Sequence, residues 1–165
     1  MSGLGLALRS LLWTLLLPGM VAGYIPWRYY GVGRLHARWN APEFFLGLGV
    51  VGSGAALLLA CIWEFARRGR GTLSPVDPPT ELVARGLYRY VRNPMYLSVA
   101  TILLGELLLA PSRGFLLYSA IVFALFNLAV IFYEEPSLRR RFGASYQRYL
   151  REVPRWIPRP PRRPA

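Results

Sequence analysis

The chain has 165 residues, room for one domain, and is 54% hydrophobic while carrying a formal net charge of +12. A soluble domain of this size rarely combines the two. A membrane protein does so readily, by segregating apolar spans from basic loops. All 20 basic side chains are arginines. The basic tail from Arg155 to Arg163 would suit nucleic acid in another setting. Beside apolar spans, anionic lipid headgroups are the expected partner, and no nucleic-acid partner is expected. The single cysteine, Cys61, has no mate for an internal disulfide, and the single histidine, His36, lies in a loop away from other ligand-type side chains. No metal site is expected from them.

Four apolar segments stand out against the roughly 20 residues a helix needs to cross a bilayer. The first runs from about Leu4 to Tyr24. It reads as a retained helix rather than a signal peptide, being long, interrupted by Arg9 and without a clear small-residue cleavage site. The second runs from about Phe44 to Phe65, the third from Met95 to Ala110 and the fourth from about Phe115 to Tyr133. Pro111-Ser112-Arg113-Gly114 marks a tight turn, so the last two should form an antiparallel hairpin. From Ser137 to Glu152 the pattern is that of an amphipathic helix, with a break expected at Gly143. Leu138, Phe142, Tyr146, Tyr149 and Leu150 share one side of it. Such a helix either lies on the membrane surface or closes over a site as a lid.

The expected fold is therefore all-α, a polytopic membrane protein of about four transmembrane helices. A C-terminal helical hairpin is followed by an amphipathic cytoplasmic helix. Residues 1–165 read as a single membrane domain, with two N-terminal transmembrane helices in 1–66, a cytoplasmic loop in 67–94 and the hairpin plus tail in 95–165. Arg67, Arg68, Arg70, Arg85, Arg89 and Arg92 put that loop and the tail on the cytoplasmic side, although Arg28, Arg34 and Arg38 in the first loop run against this count. Gly31-Val32-Gly33 and Gly47-Leu48-Gly49 do not follow strands or complete a nucleotide-loop pattern. Loop flexibility and close helix packing account for them.

Chemistry-bearing residues gather at the expected cytoplasmic boundary. Asn93-Pro94 is a helix-start signal, with Asn able to cap free amides and Pro suited to the first turn. Arg89 and Arg92 stand beside that helix N-terminus, which would favour an anion such as a ligand carboxylate. An ordinary capped helix with arginines reaching for lipid phosphate fits the segment equally well. The fourth span ends in Glu134-Glu135, two of only 8 acidic residues. They either receive a cation or sugar hydroxyls, or form a solvated helix end paired with Arg139 or Arg140. Asn127, two helical turns earlier, shares nearly the same face. It either lines the same pocket or makes an interhelical hydrogen bond. Glu106, deeper in the third span, is expected to snorkel or to pair with Arg113 just beyond the turn. Val153-Pro154-Arg155-Trp156-Ile157-Pro158 is expected to be extended, with Trp156 at the membrane interface.

Taken in order, Gly86 to Tyr96, Glu134-Glu135-Pro136-Ser137-Leu138, Phe142-Gly143, Tyr146, Tyr149 and Val153-Pro154-Arg155 resemble the isoprenylcysteine carboxyl methyltransferase and phospholipid methyltransferase superfamily. The resemblance covers roughly the second half of the chain. It implies an integral membrane enzyme whose last hairpin and C-terminal segment enclose S-adenosylmethionine, with the site facing the cytoplasm. The acceptor would be a lipophilic, membrane-resident molecule. Arg92-Asn93-Pro94-Met95-Tyr96 corresponds to the family's R-H-P-x-Y element, with Asn93 where the characterised enzymes have His. Asn does not titrate, so the resemblance carries no proton-transfer role to this position. Tyr88, Arg89, Asn93, Pro94, Tyr96, Asn127, Glu134 and Glu135 are then the expected cofactor-binding residues, and Arg92 and Glu135 the expected catalytic ones. Two other readings stay open here. Membrane reductases of the sterol-reductase type, which use NADPH, resemble the same C-terminal region, and a non-catalytic protein could keep the scaffold.

Overall fold

A computed structural model describes residues 17–32, 42–68, 82 and 84–161. Arg9 with the start of the first expected span, the His36 loop with Arg34 and Arg38, and Arg70 lie outside the described residues. A π turn, Met20–Tyr24, leads into α1 (Ile25–Tyr29). Then come α2 (Pro42–Arg68), a 3-10 turn (Gly86–Arg89), α3 (Pro94–Leu109) and α4 (Arg113–Ala129). A second π turn, Val130–Glu134, joins α4 to α5 (Glu135–Glu152). Every regular element among the described residues is helical.

Two stretches are long and apolar enough to cross a membrane, Pro42–Glu64 and Arg113–Glu152, while Pro94–Leu109 is apolar but shorter. Their outer faces leave Phe45, Leu48, Leu59 and Trp63 on α2 and Leu116, Leu117, Leu125 and Leu128 on α4 uncovered, as hydrocarbon surroundings require. At about 1.5 Å per residue the 40-residue Arg113–Glu152 run would be about 60 Å long if straight, twice a bilayer's hydrocarbon core. The arginine-rich α5 accordingly lies beyond the apolar part of that run.

Helices α2 and α3 pack antiparallel, and small residues let them approach closely. Gly47 faces Gly105 and Leu109, and Gly54 faces Ser98 and Ile102. A Cβ on Gly105 would lie 2.6 Å from the Val51 amide nitrogen, so the two backbones are in direct contact there. The seam recurs at Gly47, Val51 and Gly54 on α2 and at Ser98, Ile102, Gly105 and Leu109 on α3, alternating steps of three and four. Helix α4 adds Phe115 and Val122 to a core with Val99, Ile102 and Leu103. Its start is fixed by Ser112, whose hydroxyl accepts from the Phe115 amide at 3.1 Å. Tyr30 stacks on Phe115 at 5.0 Å, and the Tyr118 hydroxyl donates to Val21 O at 2.7 Å, which ties the N-terminal segment to this core.

Three expectations need correction. The helix does not stop where the fourth apolar segment ends at Tyr133, but continues through the π turn into α5. Pro136 has no N–H to offer the Phe132 carbonyl, and the widened turn, closed by the Glu135 amide on Val130 O, absorbs the proline without breaking the helix. The same pairing of π turn and proline occurs at Ile25-Pro26. Glu106 neither snorkels nor pairs with Arg113. It is 7% exposed with no hydrogen-bond partner on Oε2, while Arg113 points to the outside. Asn93 precedes α3 but makes no side-chain cap, for reasons given below. The break expected at Gly143 is present, with φ at +51°, a conformation glycine adopts without steric cost.

Candidate active site

After α5 the chain turns back as an extended strap and is stitched to the segment that precedes α3. The Arg92 amide donates to Pro154 O at 2.9 Å and the Arg159 amide to Tyr90 O at 3.0 Å. The Asn93 side-chain amide donates to Arg155 O at 3.2 Å, which is why it is unavailable as a helix cap. Beneath the strap, Tyr146, Tyr149 and Val153 form a small core with Leu82, Ala84, Leu138 and Phe142. The Tyr149 hydroxyl donates to Tyr88 O at 2.8 Å. Tyr88 is itself buried, and burial pushes its phenol well above the usual range, so it stays neutral. Gly86, at φ +57°, lets the 3-10 turn pass against Glu64, whose carboxylate would lie 2.7 Å from any Cβ there.

The two adjacent acids meet different surroundings. Glu135 is buried, and its carboxylate is held by arginines from three places. Arg155 takes both oxygens, Nε to Oε1 at 2.8 Å and Nη2 to Oε2 at 3.1 Å. Arg92 donates through Nη1 to Oε1 at 2.9 Å, and Arg139 stands 3.7 Å from Oε2. A carboxylate so occupied has little lone-pair capacity left with which to take a proton. Glu134 is the last residue of the π turn. Its Oε1 accepts the Tyr96 hydroxyl of α3, and among the described residues no arginine pairs with it.

Aromatic rings frame this end of the helices. Tyr96 packs on Phe126 at 4.7 Å and meets the edge of Trp156 at 6.5 Å, while Trp156 lies 5.2 Å from Phe123. The Trp156 indole donates to Asn127 Oδ1 at 2.8 Å, so Asn127 anchors the strap. From Phe126 and Phe123 an apolar groove runs between α3 and α4 towards Leu107 and Leu116.

Of the residues singled out in the sequence, Arg92, Tyr96, Glu134, Glu135 and, through Trp156, Asn127 come together here. Pro94 is buried as the first residue of α3, Tyr88 is buried under the strap, and Arg89 is exposed on the 3-10 turn. Sequence reasoning placed Arg155 in the basic tail and in the Val153-Pro154-Arg155 element of the resemblance but gave it no role in the site. Its signal was the extended Val153-Pro154-Arg155 immediately after an amphipathic helix. The Arg92 Nε is buried without a partner, an orphan donor inside a site richer in guanidinium than in carboxylate.

The family profile described as phospholipid methyltransferase matches residues 42–145. Protein-S-isoprenylcysteine O-methyltransferase of Schizosaccharomyces pombe is 37% identical over 78 residues, which is 47% of this chain and 33% of the relative. The match thus spans about a third of that curated relative's length. No solved structure matches the chain.

Proposed function

Because the chain belongs to the phospholipid methyltransferase family, we propose that it is an integral membrane enzyme that transfers a methyl group from S-adenosylmethionine to a lipophilic, membrane-resident acceptor. The observation that carries this reading is the separation of the two acids. Glu135 is locked to Arg92 and Arg155, with the Arg92 Nε–H left without a partner, while Glu134 stands against Tyr96. That arrangement fits a zwitterionic cofactor, with a guanidinium for its carboxylate and a carboxylate for its ammonium or ribose hydroxyls.

When bound, S-adenosylmethionine supplies a methyl group on a sulfonium, which is passed on by in-line displacement. The protein's part is alignment, worth on the order of 7–11 kcal/mol in favourable cases. Arg92 offers Nε–H to a carboxylate, with the start of α3 at Pro94 and the nearby Arg89 adding positive potential. Glu134, oriented by the Tyr96 hydroxyl, receives cationic or hydroxyl groups. Asn93, Asn127 and Tyr88 hold the strap and loop that close the site. An amine acceptor would deliver its proton to Glu134 rather than to Glu135, whose oxygens are occupied. The relative's name points to an isoprenylcysteine-type acceptor, reached sideways from the bilayer. The site faces the cytoplasm on a single domain of about four transmembrane helices.

Calorimetric titration with S-adenosylhomocysteine in detergent tests the cofactor. Binding is expected, and its absence from folded protein would refute the proposal.

A further inference from the structure

Of the three arginines around Glu135, the two that hydrogen-bond it are not seated alike. Arg155 occupies both oxygens, side-on through Nε and Nη2. Arg92 makes a single bond to Glu135, through Nη1, and its Nε–H stays buried without a partner. An arginine beside a carboxylate normally closes its fork on both oxygens, because two parallel bonds are stronger than one. Arg92 does not, because Arg155 already holds that position. Nor is Arg155 free to leave. The strap is pinned on either side of it, by Pro154 O on the Arg92 amide and by the Trp156 indole on Asn127, and its own carbonyl accepts from Asn93.

We propose that Arg155 is a positioning residue: by taking the two-point seat on Glu135 it prevents Arg92 from closing there and keeps the Arg92 Nε–H available to a ligand carboxylate. This rests on the methyltransferase reading above and assigns to the strap a task within it. The carboxylate is that of the cofactor or that of a prenylated cysteine acceptor. Without Arg155, Arg92 swings its Nε/Nη2 edge onto Glu135, into the side-on seat Arg155 now holds, and the ligand loses its donor.

The test measures binding of S-adenosylhomocysteine and of a free-acid S-prenylcysteine, each beside its carboxamide analogue, to the full chain in detergent. Arg155→Ala is expected to weaken one of the two acids by about tenfold or more and to leave its amide within about threefold, since only the charged pair uses the guanidinium fork. The acid that weakens identifies the source of the carboxylate. Adding Glu135→Gln to Arg155→Ala removes the competing anion and is expected to restore affinity to within about threefold of wild type, because a neutral amide oxygen holds a guanidinium less firmly. A purely structural Arg155 predicts the opposite, a double variant that binds no better than the single one. Arg155→Lys covers the case in which alanine prevents folding: it keeps the charge, cannot take both oxygens at once, and should show an intermediate loss. Equal loss for acid and amide, no loss for either acid, or no rescue by Glu135→Gln overturns the role of Arg155. If wild-type protein binds neither acid, the methyltransferase reading falls with it.

Discussion

Replacing Gly105 by alanine probes the contact on which the helix pair depends. The added Cβ would lie 2.6 Å from the Val51 amide nitrogen, 2.7 Å from Val51 Cγ2 and 2.9 Å from Gly47 O. Carbon contacts are comfortable at about 3.5 Å, so α2 and α3 must part by roughly 0.9 Å at this level. Two of the three obstacles are backbone atoms, so no change of rotamer relieves them. Overpacking of this kind costs about 1–3 kcal/mol. The melting temperature in detergent should fall by on the order of 5 °C. Gly52→Ala is the matched control, on the same helix pair but with nothing within 4 Å of the new methyl. It should leave the melting temperature unchanged or slightly raised, since alanine is the better helix former by about 0.5–1 kcal/mol. A Gly105→Ala protein that melts no lower than Gly52→Ala would refute the backbone contact.

Other perturbations separate the site's parts. Glu134→Gln and Tyr96→Phe should each weaken S-adenosylhomocysteine binding by about tenfold, the equivalent of one charge-assisted hydrogen bond, with the fold intact by circular dichroism. Unchanged affinity in both would remove this pair from the site. Glu135→Ala should destabilise by about 3 kcal/mol in a thermal melt, because it leaves Arg92 buried without a counter-charge. A cost no larger than that of Glu134→Ala would contradict this. Tyr149→Phe removes the bond to Tyr88 O and should cost about 1 kcal/mol, read as earlier proteolysis of the strap. Asn93→Ala should behave similarly through its lost bond to Arg155 O, and a stability equal to wild type would argue that this bond contributes nothing.

The two long apolar helices, one within Pro42–Glu64 and one starting at Arg113, were legible because hydrocarbon sets their length and composition. Pro94 at the start of α3 and the break at Gly143 were legible because those residues restrict or free the backbone locally. The grouping of Tyr146 and Tyr149 on one side of α5 followed from helical periodicity, and both are buried under the strap. What the sequence hid was partnership. Adjacent acids look alike in a string of letters, yet Glu135 is clamped by arginines 43 and 20 positions away while Glu134 meets a tyrosine from α3. Asn93 carried a local cap signal, and a strap 62 residues further on claimed its amide instead. Glu106 was expected to snorkel or to pair with Arg113 by proximity along the chain, yet it is buried with Oε2 unpartnered while Arg113 is exposed.

The π turn at Val130–Glu134 makes the site a matter of phase. It takes up one more residue than a turn of the helix on either side, so the surplus is absorbed locally and α5 stays in phase with α4. Deleting a single residue between Val130 and Tyr133 would let the turn relax to ordinary pitch with α5 close to its present rotation. Inserting one residue into α4, with no wide turn to take it up, would instead swing everything downstream by about 100°. Glu135 would then leave Arg92, and the strap that α5 delivers would arrive on the wrong side of the loop it closes.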